Sequence, residues 1–572
     1  MAGAWSGIAG QVLADHEIHL FYEFDLPEPP PPPQGWWARF WSPDTEPPTI
    51  CPSTPLAALA DVALSGLPPD QFAALSRRYA NECVWKKAPG DVGSDFYPHV
   101  RDLACGGEAV PLRATRCKLS VHAQRLIDSA DLYEESVPPE QRLRKRIALT
   151  WRGRELARLE AHGVAARPLT LTLDAVNLYV FPSTLKQLMS VRVVASPLGG
   201  GALTPLELLE VLVALTHAHK LRWVERQGTP LDAPAFSLDQ LVRSLIGAGK
   251  PADTRRLRSY TYARFATPMT HADADHFGLY LARHYTTDYV VDAQLAGIER
   301  VRTFETVGHT VSLEGSATIV APAPGAGELP SFLLDYKSNT LRQHYVPIAL
   351  LATHELGFLV DRTHRSVMPH HIDDIRSEET IEKFAELRRD ALLFRDWFRF
   401  TQVSHISMHN ELNRAFRRAL GLDQMFREFT DDVNDIDAYL RTESELRRAY
   451  SARKLTAVGA GAFAGLTALT IARELIKGFA QLLGHFTFEG KADLIGAVFG
   501  IAVFALVFWR TYRRVSSHHA RSHGRDEATE QEKQEEQEEQ EDRAKDALLD
   551  QMLQSSEERA SASSAADLVR RP

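Results

Sequence analysis

Cysteine is scarce in this chain: four in 572 residues, at Cys51, Cys83, Cys105 and Cys117, with no Cys-x-x-Cys spacing among them. That pattern argues against a disulfide framework and against a zinc site, and the four are expected to be free thiols. An excess of positive charge is also missing. Lysine and arginine number 65 against 74 aspartates and glutamates, a formal net charge of -9, so the chain has no overall electrostatic footprint for DNA or RNA. No phosphate loop, dinucleotide fingerprint or nucleophile elbow occurs, and the residues give no support to an enzyme. His354-Glu355 opens like a zinc-protease motif, but the position four after His354 is Phe358. Met1 to Trp5 carries no basic segment leading into an apolar run, so a cleaved signal is not expected.

What is present is the composition of a folded body, 44% hydrophobic and 24% charged, with two apolar segments near the C-terminus, Leu455 to Ala472 and Leu494 to Trp509. At roughly 20 residues per crossing, the two segments read as membrane spans, the first serving as insertion signal. Arg447, Arg448, Arg453 and Lys454 precede the first, and Arg510, Arg513 and Arg514 follow the second, whereas the connection from Gly484 to Lys491 carries little positive charge. Positive flanks stay inside. The expectation is a multi-pass protein of a bacterial-type inner (plasma) membrane, embedded in the lipid bilayer, with both termini cytoplasmic.

The expected fold class is a mixed α/β cytosolic domain followed by a long helical stalk and two C-terminal transmembrane helices. Residues 1–165 form an N-terminal region with a polyproline piece, Pro27 and Pro29 to Pro33, followed by Trp36, Trp37 and Trp41, which reads as a spacer or as a ligand for an aromatic groove. Residues 166–325 alternate in strand fashion: Leu169 to Val180 is broken by Phe181-Pro182-Ser183-Thr184 before Val191 to Ala195. Gly199 to Gly201 lacks the lysine of a phosphate loop and reads as a turn, and Thr204-Pro205-Leu206-Glu207 is a capping box opening a helix through Leu215. Further strands are expected at Tyr260 to Phe265 and within Val301 to Val320, turning at Glu314-Gly315.

Residues 330–454 change to helical spacing. Phe332 to Val360 is interrupted by Pro347, and Ile381, Phe384, Leu387, Ala391, Phe394 and Phe398 mark a second helix. Leu422, Phe426, Phe429, Val433, Ile436 and Leu440 then form a heptad seam, a coiled-coil-like stalk running into the first apolar segment at 455–483. The external connection at 484–491 and the second span at 492–512 follow, and residues 517–572, dominated by glutamate and glutamine, read as an acidic low-complexity tail.

Several side chains stand out as candidates. Thr467, Thr470, Glu474 and Lys477 are spaced by three, four and three, placing them on one helical face as pore-lining candidates together with Gly478. Gly461 and Gly465 form a small-xxx-small pair suited to close helix packing. Asp431, Asp432, Asp435 and Asp437 cluster on successive turns, and Asp431 and Asp435 are the candidate regulatory metal ligands: repeated about an axis, such carboxylates suit magnesium. His405 and His409 stand at i and i+4, and His364, His370 and His371 lie close together, but no carboxylate of matching spacing completes either set.

Leu178-Tyr179-Val180-Phe181-Pro182, Tyr345-Val346-Pro347-Ile348-Ala349-Leu350-Leu351 and the seam from Phe426 into Leu455 resemble the CorA family of divalent-cation transporters over about residues 165 to 515. The resemblance implies a homo-oligomer of pentameric type, with Mg2+ as transported or regulatory ion and cytosolic carboxylates between subunits that close the pore. The family's Gly-Met-Asn filter is absent, and Lys477-Gly478-Phe479 falls near its position. A lysine ring there would repel a divalent cation. Two functions follow as expectations: a divalent metal-ion transporter with an atypical filter, or a membrane-anchored ligand-sensing effector on the same scaffold without magnesium transport. A purely structural adaptor, resting on the proline-rich segment and acidic tail, ranks third.

Overall fold

A computed structural model of the chain describes residues 5, 7–26, 52–56, 82–88, 95–105, 114–128, 145–217, 219–225, 228–247, 257–290, 297–325, 329–367 and 378–482, with isolated positions between 59 and 77 and between 498 and 513. The chain divides into two compact units, Met1–Ile436 and Asp437–Pro572.

The first unit is built on one mixed sheet. Its central strand comes from the N-terminal region: β1 (Leu13–Asp25) lies between β6 (Lys186–Pro197) and β8 (Arg258–Phe265), antiparallel to both, with Leu20 opposite Val191 on one side and Ser259 on the other. β5 (Leu169–Phe181) and β6 form the hairpin read from the sequence, closed where Leu185 takes a left-handed φ of 55° after Pro182–Thr184. The other edge of β5 is divided. Its C-terminal half pairs with β3 (Thr115–Leu119), which lies in the chain between α1 (Pro98–Cys105) and α2 (Val121–Asp128) and pairs onward to β2 (Trp85–Lys87). Its N-terminal half pairs with β4 (Lys145–Leu149), which pairs with β7 (Arg222–Glu225). Beyond β8 the sheet continues through β11 (Gly315–Val320), joined in parallel, to β10 (Val307–Val311) and β9 (Glu299–Phe304).

Strand alternation gives the two faces different chemistry. Ile18, Leu20, Val191, Val193, Ala263, Phe265, Ala317 and Ile319 face an apolar core shared with α4 (Pro205–Thr216), α5 (Leu238–Ile246) and α6 (His271–Arg283). Pro205 to Leu215 is buried throughout, its two glutamates Glu207 and Glu210 paired with Arg167 and Arg158, and its Thr204–Glu207 capping box forms as the sequence indicates. The opposite face carries Glu17, His19, Tyr260, Tyr262, Thr318 and His309, all buried.

Helices of the C-terminal half cover this polar face. Lys337–Tyr345 is a π-helix leading into α7 (Val346–Val367), so the proline that the sequence reads as an interruption sits at the second position of α7. Pro347 has no N–H, and its ring would press on the carbonyl of Gln343; widening the preceding turns relieves that clash. Arg342 on the π-helix donates to Glu17 Oε2 from Nε at 3.0 Å and from Nη2 at 2.6 Å, while His19 Nε2 lies 2.8 Å from Oε1. Burial alone would raise the Glu17 carboxyl; hydrogen bonds and charge from His19 and Arg342 instead bring it down to about 2. On α7, His354 stacks on Phe181 with ring centroids 3.9 Å apart and shares a 2.8 Å hydrogen bond with Thr184, and Gly357 has no room for a Cβ because the Glu23 carboxylate occupies that space.

α8 (Glu378–Trp397), α9 (Ser407–Ala419) and the first turns of α10 (Leu422–Leu482) complete the layer. Leu422, Phe426, Phe429 and Val433 of the heptad seam are buried within the chain's own first unit, with Phe426 against Phe394 and Phe429 against Phe358. The side chains of Ile436 and Leu440 lie outside the described residues. Arg417 ties the layer together, donating to Glu355 and Asp423 at 2.7 Å each.

The expected membrane architecture is corrected. Among the described residues no helix is long and apolar enough to cross a membrane. This overturns the two C-terminal transmembrane helices, the membrane and transmembrane assignment, and the multi-pass inner-membrane location. Only eighteen residues separate Lys454 from Arg473, and three are glycine, three threonine and six alanine. At 1.5 Å per residue that run spans roughly 27 Å, short of the ~30 Å hydrocarbon layer, and extending it draws in Arg473, Glu474 and Lys477. Most of Leu494 to Trp509, the connection at 484–491, the polyproline–tryptophan piece and the acidic tail lie outside the described residues.

Removing Arg342 leaves the buried Glu17 carboxylate without its main partner, so Arg342→Ala should cost about 3–5 kcal/mol in urea unfolding followed by tryptophan fluorescence. A loss below about 1 kcal/mol would show that Glu17 is not held by this pair. A pH series gives a second check. Burial holds His309 and His354 at about 3 and His284 and His409 at about 4, below the ordinary 6.5. The unfolded chain then binds more protons below pH 6.5, so the stability these neutral imidazoles contribute is complete above that value and is lost as pH falls toward 4. The urea midpoint should drop between pH 7 and pH 4.5; a flat profile over that interval contradicts the assignment.

Candidate functional site

The first unit has a cleft of about 1430 Å³ at the end of the sheet where β8 begins and β10 turns into β11. One wall is the start of α3 (Gly153–Ala161), and the backbone sets its position: Gly153 has a φ of +55°, and the Arg152 N–H donates to the Glu155 carboxylate at 3.4 Å. Buried Leu159 anchors the apolar side of α3, so Arg152, Arg154 and Arg158 fall on the cleft side.

The opposing wall is made by the ends of α4 and α6. Helix C-termini carry partial negative charge on unpaired carbonyls. Here those groups are largely satisfied. The Thr216 hydroxyl donates to Leu212 O, His217 Nδ1 lies 2.9 Å from Val213 O, and the His219 N–H reaches Ala214 O. At the end of α6, His284 turns left-handed at a φ of 54°, and the Tyr285 N–H donates to Tyr280 O at 3.1 Å. Leu356, Gly357, Val360, Leu420 and Met425 add an apolar side.

Five arginines and three carboxylates line this space, and most of them are already paired. Arg158 grips both oxygens of the fully buried Glu210 at 2.6 Å and reaches Asp288 at 3.0 Å. Burial pushes the Glu210 carboxyl above its ordinary range, with the two Arg158 donors opposing that shift. Glu155 pairs with His219 at 3.1 Å, and Arg283 with Glu314 at 3.3 Å. Arg258 is half-buried and donates from Nε to Leu313 O at 3.0 Å. Arg152 and Arg154 are exposed, and neither side chain has a carboxylate partner among the described residues.

At the end of the sheet His284 Nε2 shares a 2.7 Å hydrogen bond with the Ser259 hydroxyl. Burial, with His217 nearby, lowers this imidazole to about 4, so it is neutral near pH 7. Gly315 is required beside the pair, because a Cβ there would lie 2.6 Å from Ser259 Oγ and 3.0 Å from His284 Nε2. Ser259 is itself buried, and among the described residues no carboxylate bonds to His284, so the arrangement positions the end of α6 and is not a nucleophilic triad.

A second lobe of about 550 Å³ adjoins the first and shares Arg154, Arg158, Asp288 and Tyr289 with it. Tyr289 is exposed, and its ring lies 5.3 Å from that of Tyr285.

None of the candidate site residues read from the sequence lines this cleft. Thr467, Thr470 and Glu474 are exposed on α10 in the second unit, and the two threonine hydroxyls donate to the carbonyls of Phe463 and Leu466. Lys477, Gly478, Gly461 and Gly465 belong to the same helix, but their surroundings lie outside the described residues. Asp431 and Asp435 are exposed on α10 in the first unit, and among the described residues no group of three or more histidines, cysteines, aspartates or glutamates could hold a metal ion. His409 is buried, stacked on His344 at 4.5 Å, and His405 precedes α9, so the pair does not share a helical face. Cys83 and Cys117 are free thiols. The signal that could have pointed to the cleft is the run Trp151-Arg152-Gly153-Arg154, an arginine pair around a turn glycine, and it carries no recognised motif.

No family model, curated protein or solved structure matches this chain.

Substitutions should separate the structural arginine from the free ones. Arg158→Ala strands the Glu210 carboxylate in the core and should cost about 3 kcal/mol, whereas Arg154→Ala should stay within about 0.5 kcal/mol of the parent chain. Equal losses measured by urea unfolding would contradict this division.

Proposed function

We propose that the first unit is a ligand-sensing domain that binds a small anionic molecule in this cleft. The observation that carries the reading is the pair Arg152 and Arg154, exposed and without carboxylate partners among the described residues, on a cleft where Arg158, Arg283, Glu155, Asp288 and Glu314 are held in ion pairs. A guanidinium presents a planar fork that fits two oxygens of a phosphate or carboxylate. The first turn of α3 adds backbone N–H groups and the positive end of a helix dipole on the same wall. The transport alternative requires a pore through two spans, and it is not carried forward.

Ligand sensing follows from what surrounds the cleft. α3, α4, α6 and the α9–α10 junction all contribute to its lining, so an occupant would bridge these elements. A ligand that binds only the folded state stabilises it by about 2.7 kcal/mol at a hundred times its Kd. Inorganic phosphate or pyrophosphate should therefore raise the Tm of the full-length protein in low salt, the increase should shrink as ionic strength rises, and Arg152→Ala with Arg154→Ala should abolish it. No shift with either anion, or an undiminished shift in the double variant, would reject the reading.

A further inference from the structure

The cleft is far larger than phosphate needs, and its second chemical feature is aromatic. Tyr285 and Tyr289 lie with ring centroids 5.3 Å apart and planes 35° to one another. Tyr289 is 59% exposed and the adjacent Val290 77%. The exposed ring stands on fixed backbone: the Tyr280 hydroxyl donates to Tyr289 O at 2.6 Å, and the Tyr289 N–H donates to Thr286 O at 3.1 Å. An aromatic side chain held on an ordered turn beside a polar cleft is a ready platform for a flat ring.

This platform lies beside the charge. Tyr289, Asp288 and Arg154 all line both lobes, so the aromatic ring, a carboxylate and a free guanidinium gather at the neck between them. The carboxylate is anchored on one side only: Asp288 Oδ2 accepts from Arg158 and from Thr286, and Oδ1 has no hydrogen-bond partner among the described residues. An oxygen acceptor, an aromatic platform and an arginine pair in the lining of one cleft are the kinds of group that a sugar, a base and a phosphate chain call for.

Resting on the anion-binding reading above, we propose that the ligand is a nucleotide, with its base on Tyr289, its ribose hydroxyls toward Asp288 and its phosphates on Arg152 and Arg154. The exposed tyrosine face suits a flat ring, which a bare phosphate or a small carboxylate does not carry. The net charge of -9 makes a mononucleotide a better occupant than a nucleic-acid strand.

The test is isothermal titration of the full-length protein at low salt with pyrophosphate, with the diphosphates of the four common ribonucleosides, and with the corresponding nucleosides. At least one nucleoside diphosphate should bind about tenfold tighter than pyrophosphate, since a base stacked on an aromatic side chain contributes on that scale. Tyr289→Ala should remove this advantage and leave pyrophosphate binding unchanged, Tyr289→Phe should retain it, and Arg152→Ala with Arg154→Ala should weaken both ligands. If pyrophosphate binds and no nucleoside diphosphate binds more tightly, the nucleotide is refuted and the anion site stands. Failure of pyrophosphate and of every nucleotide overturns both, and an advantage that survives Tyr289→Ala overturns the placement of the base.

Discussion

The Glu17 carboxylate, fully buried on the central strand, is the constraint around which the first unit is arranged. A buried charge of this kind needs donors on every side, and it takes them from two places: His19 on its own strand and Arg342 on the π-helix. The second of these fixes the π-helix across the sheet and, through it, the entry of α7. Once α7 is placed, Glu355 can meet Arg417, Arg417 can meet Asp423, and the start of α10 is set against the same layer. The polar face of the sheet is thus held by a relay of charged pairs, whereas the other face is held by ordinary apolar burial.

The same division explains why the cleft lies where it does. Layers cover both faces of the sheet, and the cleft lies at the sheet end where α3 begins and α4 and α6 finish. Two helix C-termini at this place would oppose an anion, but their carbonyls are occupied by backbone and imidazole donors. Of the arginines there, Arg158 serves the fold by neutralising Glu210, and Arg152 and Arg154 are left to face solvent. A structural pair and an unpaired pair within one short helix give the cleft both rigidity and charge.

Much of the secondary structure was legible in the sequence because its causes are local. The β5–β6 hairpin follows from alternation broken at Pro182, the start of α4 from Thr204 and Glu207, and the β10–β11 turn from Glu314-Gly315. Other features were not legible. β1 is buried at nine of its thirteen positions, with Glu17, His19 and Glu23 buried on the face opposite Ile18 and Leu20, so its alternation of apolar and polar residues resembles that of a strand with one face in water. The seam through Leu422, Phe426, Phe429 and Val433 has the spacing expected of a subunit interface, yet these residues pack on Phe358 and Phe394 of the same chain. The cleft was invisible for a related reason: Arg154 and Tyr289 are separated by 134 intervening positions, and no local pattern joins them.

By itself the sequence determined the β5–β6 hairpin, the cap of α4 and the β10–β11 turn, because each depends on residues within a few positions of one another. Tertiary structure alone decided which partner each apolar surface meets, which charges are consumed in pairs and which stay free. Periodicity records that a residue is to be buried but not against what, and apolar length near the C-terminus likewise suggested crossings that the described helices do not provide. The free charge of Arg152 and Arg154 is a difference between what the chain contains and what folding has already paired, and only the folded chain defines it.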